Sequence, residues 1–410
     1  MSLHDLLRKS ERFFKTDMVY IARGGFWLYT AQICTGFISF FIAIAFANIV
    51  SQSDFGTYKY ILSLSGLVGA ISLSGMSTSI SRAIASGYEG EFLKGFKFNL
   101  KWEVLISITS FLGAIYYFIN DNYSLTTGLI IIGIFIPFKD SFGLYTSILI
   151  GKKDFKKISI YSITKQGLAA VWMLATIIIT KNPMLWVASF FFIHTLLNLI
   201  IFLRVFITTK PNDKTDNETH KLTKHISLIN SISSFADQMD NVLIFHFLGP
   251  ISLAIYNFSQ AIPDFLGGFI KNIGALAFPK FVQGDKNTIK KTLFRKSAQI
   301  FLFGAFISFI YILMAPVFFR LFFPKYLDSI FYSQIYSLML PFLATILPLT
   351  YIDSLLAIKT KYKMASLSIV VKLILMFLGV YYFGLLGLVI ARVATRIFGL
   401  ASVSYFTPRA

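Results

Sequence analysis

The chain alternates between long apolar stretches and short polar segments along its whole length. A helix needs about 20 mostly apolar residues to cross a bilayer, and each of these stretches predicts one membrane-spanning helix. A tight turn at residues 384–387 joins the last two spans, so eleven is the alternative count. The predicted spans are 24–50, 57–85, 104–120, 125–150, 160–180, 184–208, 226–248, 253–278, 298–322, 329–357, 365–383 and 385–406.

Two short motifs occur in both halves of the chain and in the same order. Ser-Asp-Phe-Gly-Thr-Tyr at 53–58 is echoed by Ser-Leu-Ala-Ile-Tyr at 252–256, and the basic motif at 149–159 by the one at 356–366. Since each half holds an even number of spans, both insert with the same orientation and form a parallel repeat. The sequence thus predicts an all-α polytopic membrane protein with about 12 helices in two six-helix lobes around a central cavity.

The polar segments set the expected domain boundaries. Residues 1–23 interleave basic and apolar positions, as in an amphipathic helix that lies on the cytoplasmic membrane surface. They lack the apolar run of a signal peptide, so we expect an anchoring arm. Residues 24–208 are then the N-terminal lobe, 209–225 a cytoplasmic linker, and 226–410 the C-terminal lobe.

Composition agrees with a membrane protein and excludes several other classes. Hydrophobic residues make up 56% of the chain and charged residues only 14%, against about 25% charged residues in soluble proteins. These values exclude a soluble multidomain enzyme and a disordered protein. The single cysteine, Cys34, excludes a scaffold of intramolecular disulfides.

The formal net charge of +19 is mainly a signal of orientation. Of the 38 Lys and Arg residues, 28 lie in the arm, in alternate loops and at the C-terminal end, while the opposite loops hold four. By the positive-inside rule, both termini are expected in the cytoplasm. The basic loops therefore give no reason to expect a nucleic-acid partner.

Sequence motifs of enzymes are missing from the chain. It contains no G-x-x-x-x-G-K-[ST], H-E-x-x-H, C-x-x-C or G-x-S-x-G pattern, and its loops reach only about twenty residues. Such loops are too short for an added catalytic domain. We therefore expect a protein that is not an enzyme and uses no cofactor or metal ion.

Several short motifs resemble one known superfamily. They are Phe247-Leu-Gly-Pro-Ile-Ser-Leu-Ala-Ile-Tyr256, in which Ala254 replaces a glycine, Asp237-Gln-Met-Asp240, and Ala277-Phe-Pro-Lys280. The chain is similar to the polysaccharide exporters, or Wzx-type O-antigen flippases, of the multidrug/oligosaccharidyl-lipid/polysaccharide (MOP) flippase superfamily.

The resemblance implies a function in the bacterial cytoplasmic (inner) membrane. It is the translocation, by alternating access, of an undecaprenyl-diphosphate-linked repeat unit of O-antigen or another polysaccharide. Membrane lipids, a polysaccharide polymerase and chain-length machinery are the implied partners, and coupling to a proton or sodium gradient stays open. The alternative is an ion-coupled small-molecule or multidrug antiporter of the same superfamily.

Ionisable residues within predicted spans are costly and mark candidate site residues. Cationic side chains can bind a diphosphate, and acidic ones can exchange an ion. The alternative is that cations and acids, Asp140 among them, pair to hold the helices together. The repeat relates Lys165 to Lys372, and both are expected to face the interface between the halves. Candidate substrate-binding cations are Lys139, Lys165, Lys271, Lys372, Arg392 and Arg396, with Arg23 at the cytoplasmic mouth, and candidate ion-coupling acids are Asp237, Asp240, Asp264 and Asp353.

Overall fold

The structure is a computed structural model that describes residues 18–216, 219–283, 286–355 and 358–407. Within these ranges it contains α-helices, two short 3-10 helices and connecting turns, and no strand, which confirms the predicted all-α class. Most of the predicted arm, residues 1–17, lies outside the described residues. The chain divides into two compact units. The N-terminal unit is Trp27–Val242, and the C-terminal unit begins at Leu243 and includes the chain before Trp27.

Eight helices lie within residues 18–209, and short polar side chains cap the starts of four of them. The side chains of Ser51, Asn122, Asp154 and Asn182 each accept a hydrogen bond from a backbone N–H in the first turn of the following helix. The eight helices are α1 (Met18–Ile49), α2 (Gln52–Ala70), α3 (Met76–Ala85), α4 (Glu91–Ile119), α5 (Tyr123–Gly143), α6 (Tyr145–Gly151), α7 (Phe155–Ile179) and α8 (Pro183–Thr209).

Two very long helical segments in the rest of the chain are interrupted by glycines. Gly249 (φ 84°) divides the first segment and Gly384 (φ 59°) the second, and both glycines adopt a backbone conformation that other residues avoid. The helices are α9 (Thr219–Gln283), α10 (Lys286–Phe322), α11 (Ser329–Ser337), α12 (Ile346–Ser354) and α13 (Ile358–Phe406), with 3-10 helices at Pro324–Tyr326 and Pro341–Thr345.

The chain reverses direction at Gly384. A Cβ added to Gly387 would lie 2.0 Å from the carbonyl oxygen of Gly379. In a continuous helix, two residues eight positions apart are separated by about 12 Å along the axis. Residues 358–383 and 385–406 are therefore two antiparallel helices, which confirms the tight turn expected there.

Nine helices of the described residues are long and apolar enough to cross a membrane. Two of them, Ile226–Lys271 with 46 residues and Tyr362–Phe406 with 45, contain the breaks at Gly249 and Gly384 and have the length of two crossings each. The multispan character is therefore confirmed. The count of twelve spans and the two-lobe layout remain predictions.

Three predicted spans are not single helices, which corrects the sequence-based boundaries. The span 125–150 is divided between α5 and α6 at Leu144. The span 57–85 is divided between α2 and α3 because residues 71–75, Ile-Ser-Leu-Ser-Gly, form a turn. The span 329–357 is divided into α11, a 3-10 helix and α12. Pro341 starts that 3-10 helix and has no N–H to continue the hydrogen-bond ladder of α11.

Each unit has its own apolar core. In the N-terminal unit, Met76, Ile80, Phe92 and Phe202 are buried together, and the rings of Phe92 and Phe202 stack with centroids 5.1 Å apart. In the C-terminal unit, the core includes the buried Ile270, Leu293, Leu340, Leu347 and Tyr351.

The segment after α8 is held against the loop between α3 and α4. The Asn212 side chain accepts from the Glu89 N–H (3.2 Å) and donates to the Gly87 carbonyl (3.1 Å). The Lys214 carbonyl accepts from the Gly90 N–H at 2.9 Å. The expected linker 209–225 thus starts with residues bonded to the N-terminal unit, and from Thr219 onward it belongs to α9.

We expect Asn212→Ala to release this segment, because the substitution removes the side-chain hydrogen bonds that join it to the loop. Each neutral bond contributes about 1 kcal/mol, so amide hydrogen exchange should accelerate by about tenfold in residues 86–91 and 210–216. Hydrogen-exchange mass spectrometry of the full chain measures this effect. Asp213→Ala, at the next exposed position, is the matched control, and equal exchange in the two variants contradicts the prediction.

Candidate functional site

In the N-terminal unit, two of the predicted cations meet around one buried amide. Asn198 in α8 donates from Nδ2 to the Lys139 carbonyl (2.9 Å) and accepts at Oδ1 from the Lys165 ammonium (3.2 Å). The side chain of Lys139 forms an ion pair with Asp140 at 2.5 Å. Lys139 and Lys165 are also within electrostatic range of each other. This region, named the α5–α8 cluster, therefore holds two cations and one paired acid.

Aromatic rings complete the surroundings of Lys165. Its ammonium lies 5.7 Å from the ring centroid of Tyr145, and Tyr145 contacts Tyr161 edge to face. The guanidinium of Arg204 lies 6.0 Å from the ring of Tyr161. Cation–π contacts of this kind stabilise a cation without neutralising it. The Lys165 ammonium therefore retains its positive charge, with which an anion can interact.

We expect Asn198→Ala to destabilise the protein by about 2 kcal/mol. Asn198 is only 6% exposed, and its loss leaves the Lys139 carbonyl and the Lys165 ammonium without this partner at membrane depth. Thermal unfolding in detergent measures the change. The control is Asn120→Ala, since the exposed Asn120 side chain bonds only to Tyr116 of its own helix among the contacts described. Equal unfolding temperatures would show that the bridge contributes nothing.

Sequence analysis missed a buried carboxyl group beside this cluster. Glu103 in α4 is 1% exposed, and its Oε2 has no hydrogen-bond partner among the described residues. It neighbours Ser72 and is within electrostatic range of Asp140 and Lys139. The predicted span began at residue 104 and left Glu103 outside. A signal did exist, because Glu103, Ser107, Ser110 and Ala114 are spaced as one buried helix face.

In the C-terminal unit, three predicted cations surround one predicted acid. Lys271, Arg392 and Arg396 are all within electrostatic range of Asp264. The Asp264 carboxylate also accepts a hydrogen bond from the Tyr336 hydroxyl at 3.4 Å. This group of Asp264, Lys271, Arg392 and Arg396 is named the α9–α13 cluster.

Arg392 is positioned by a second tyrosine. Its Nε donates to the hydroxyl of Tyr256 at 3.3 Å, and the side chain of Tyr256 is fully buried. Tyr256 ends the Phe247–Tyr256 motif on which the resemblance rests. The motif therefore supplies both the turn at Gly249 and a hydrogen-bond partner for a candidate substrate-binding cation.

Three of the other predicted residues differ in how deeply they are buried. Lys372 in α13 is 6% exposed. Asp240 in α9 is 1% exposed, whereas Asp237 in α9 is accessible. The side chains of Arg23 and Asp353 lie outside the part of the chain that the structure describes. The roles of all eleven candidates in binding or ion coupling remain predictions.

The basic segment 152–157, between the end of α6 and the first turn of α7, has partners within the N-terminal unit. Lys152 pairs with Glu89 at 2.9 Å and Lys157 with Asp154 at 2.8 Å, and the Lys156 ammonium lies over the ring of Trp27. Burial raises the pKa of Asp154, but hydrogen bonds and nearby lysine charges lower it further, so the net pKa lies below its ordinary value. Asp154 thus keeps the charge with which it caps α7.

Metal-ligating residues do not gather elsewhere in the described chain. No group of three or more His, Cys, Asp or Glu side chains that could hold a metal ion occurs in the described residues. His194, in α8, donates from Nδ1 to the Phe190 carbonyl of its own helix (2.9 Å), and its ring lies tilted against the Phe190 ring. This contact fits a structural histidine.

A sequence-family comparison identifies the family. A family model described as "Polysaccharide biosynthesis protein" matches residues 21–285, well over half of the chain. The chain belongs to this polysaccharide biosynthesis protein family. A search of curated protein sequences finds no significant match.

The fold of this family member is similar to several solved structures. Lipid II flippase MurJ, in an inward closed conformation, matches with a TM-score of 0.72 and 14% identity over 94% of this chain and 87% of MurJ. An inward-facing multidrug resistance MATE family transporter of the MOP superfamily matches with a TM-score of 0.66 and 11% identity. The match covers 92% of this chain and 94% of that transporter. A mutant of the Vibrio cholerae MATE transporter VcmN matches with a TM-score of 0.55 and 11% identity, over 95% of this chain and 98% of VcmN. The predicted MOP-type fold is therefore confirmed, and these three proteins are described as one flippase and two transporters.

Proposed function

We propose that this polysaccharide biosynthesis protein is a flippase for an undecaprenyl-diphosphate-linked sugar unit of O-antigen or another polysaccharide. It moves the unit from the inner to the outer leaflet of the bacterial cytoplasmic membrane by alternating access. Both termini are then cytoplasmic, and the flipped unit is delivered to a polysaccharide polymerase. Family membership supports the polysaccharide, and the MOP-type fold supports translocation.

The observation that carries the proposal is the gathering of three cations in the α9–α13 cluster. Lys271, Arg392 and Arg396 all lie within electrostatic range of Asp264, which places several positive charges close together within membrane-spanning helices. Such charge is costly in a bilayer unless an anion or water compensates it. A diphosphate carries at least two negative charges, and arginine binds phosphate oxygens in bidentate fashion. The α5–α8 cluster adds Lys165 and Lys139, of which Lys139 is already paired with Asp140.

Coupling to an ion gradient is the second part of the proposal. Asp264 lies among three cations, and Asp240 is buried within α9, so both are candidates for carrying a proton or sodium ion. A proton or sodium ion that binds Asp264 removes its negative charge and so changes how strongly the three cations bind the diphosphate, which couples the two ligands at this site.

Deletion of the gene in the source bacterium tests the proposed substrate. We expect an undecaprenyl-diphosphate-linked oligosaccharide to accumulate several-fold in lipid extracts analysed by mass spectrometry, because the intermediate is made but not translocated. The intact gene in trans should remove the accumulated lipid. Unchanged lipid intermediates together with new sensitivity to cationic drugs would contradict the flippase and favour the multidrug antiporter.

A further inference from the structure

A pocket of about 600 Å³ opens in the N-terminal unit beside the break between α2 and α3. The break contributes Ile71, Ser72 and Leu73, and α4 contributes Phe98 and Trp102. The third wall is the start of α9, from Lys224 to Phe235, which presents Leu228 and Ile232 among others. Apart from Lys224 and three serine hydroxyls, every side chain that lines the pocket is apolar.

Hydrogen bonds between the walls hold the pocket open. The indole Nε1 of Trp102 donates to the Ile71 carbonyl at 3.2 Å, which joins α4 to the break. The Gly75 N–H donates to the Ser227 hydroxyl at 3.0 Å, which joins the break to α9. A Cβ at Gly75 would lie 2.7 Å from the Cβ of Ile226, so α9 passes this point at close range. The pocket follows from how these helices pack and belongs to the fold of the unit.

The apolar walls are open to the surroundings of the protein. Ile71 is 53% exposed, Leu228 59%, Ile232 47% and Trp102 39%. Such large apolar side chains around one concave surface indicate an apolar occupant. The volume lies within the range of pockets that bind one small ligand and is far too small for a folded protein segment.

One lysine lines the pocket, and two exposed lysines adjoin its lining residues in the sequence. Lys224 lines it directly, at the point where the apolar run of α9 begins. Lys97 and Lys101 are exposed and immediately precede the two pocket residues of α4, Phe98 and Trp102. An occupant that satisfies both features has an apolar chain and a negatively charged head.

We infer that this pocket binds one acyl chain of an anionic phospholipid, whose phosphate lies at Lys224 with Lys97 and Lys101 nearby. Basic pockets between membrane helices bind anionic headgroups in this way, and each lysine near the surface contributes to selectivity. Phospholipids surround the protein at high concentration, and binding follows mass action. The pocket contains none of the eleven candidate site residues, so this inference is independent of the proposed flippase function.

Fluorescence of Trp102 tests the inference directly, because this indole forms part of the wall. The chain has four tryptophans, and the full-length variant keeps Trp102 while Trp27, Trp172 and Trp186 become phenylalanine. The protein is placed in lipid nanodiscs with phosphatidylglycerol or phosphatidylcholine that carries bromine on one acyl chain. We expect brominated phosphatidylglycerol to quench Trp102 at a mole fraction about tenfold lower than brominated phosphatidylcholine does.

Three further variants keep the test decisive. Lys224→Gln should reduce the preference for phosphatidylglycerol about fivefold, as expected for one lysine near the headgroups, whereas Lys181→Gln in the loop before α8 should leave it unchanged. Ser231→Phe should fill the pocket and reduce quenching by both lipids. Equal quenching by the two lipids, or no effect of Lys224→Gln, overturns the inference. The inference is also overturned if added undecaprenyl phosphate restores Trp102 fluorescence more effectively than unbrominated phosphatidylglycerol does.

Discussion

Replacing Arg392 by glutamine should reduce export of the lipid-linked sugar by at least tenfold at an unchanged amount of protein in the membrane. Arg392 is one of three cations around Asp264, and its Nε bonds to the buried Tyr256. A charge-assisted hydrogen bond to phosphate contributes about 1.5–3 kcal/mol, and 1.4 kcal/mol corresponds to a factor of ten. The measurement is the amount of undecaprenyl-linked oligosaccharide that accumulates in the deletion strain complemented with each variant.

Matched variants separate the site from a general effect of charge. Lys181→Gln removes one positive charge from an exposed loop position and should export as the unchanged protein does. Arg392→Lys keeps the charge but loses the planar guanidinium, so it should restore only part of the activity. Full export by Arg392→Gln at equal expression would show that Arg392 does not bind the substrate. It would then be a structural partner of Asp264 and Tyr256.

Replacing Gly387 by alanine should destabilise the C-terminal unit by about 3 kcal/mol. The added Cβ would lie 2.0 Å from the Gly379 carbonyl oxygen and 2.6 Å from its carbon, and backbone atoms of a helix hairpin cannot move aside as a flexible side chain can. The two helices around Gly384 must therefore separate. Thermal unfolding in detergent, monitored by size-exclusion chromatography, should show that the apparent melting temperature of the variant is about 5–10 °C lower.

The same helix provides the control for this prediction. A Cβ added to Gly399 meets no atom within 4 Å, so Gly399→Ala should keep or slightly raise stability, by up to about 1 kcal/mol of helix propensity. If Gly387→Ala unfolds at the same temperature as Gly399→Ala, the close contact with Gly379 does not hold the hairpin together. The antiparallel arrangement of residues 358–383 and 385–406 would then need another explanation.

Local sequence signals predicted most of the fold. Apolar length predicts the membrane helices, and the glycines at 249 and 384 predict the turns, since only glycine readily adopts their positive φ angles. The break at residues 71–75 was not predicted. The stretch around it is apolar enough for a continuous helix, and what distinguishes it is tertiary, namely the bonds from Trp102 and to Ser227.

The candidate site was predictable only in part, and for the same reason. Charged residues within apolar stretches identify Lys139, Lys165, Asp264 and Arg392 as candidates one by one. The Asn198 bridge depends on how α5, α7 and α8 pack, and asparagine in a sequence gives no sign of a partner 59 positions away. Glu103 was missed because its burial depends on the exact start of a span, which is the least reliable feature of a sequence pattern.

Reconstitution of the purified protein tests the central claim most directly. Liposomes with and without the protein receive the undecaprenyl-diphosphate-linked oligosaccharide extracted from the deletion strain, and a membrane-impermeant glycosidase is added outside. Without the protein, only the outer-leaflet half of the sugar should be cleaved. With the protein, under zero or imposed proton and sodium gradients, cleavage should approach completion, and Arg392→Gln should slow the second half at least tenfold. Cleavage that stops at half with the intact protein under every gradient would contradict the account.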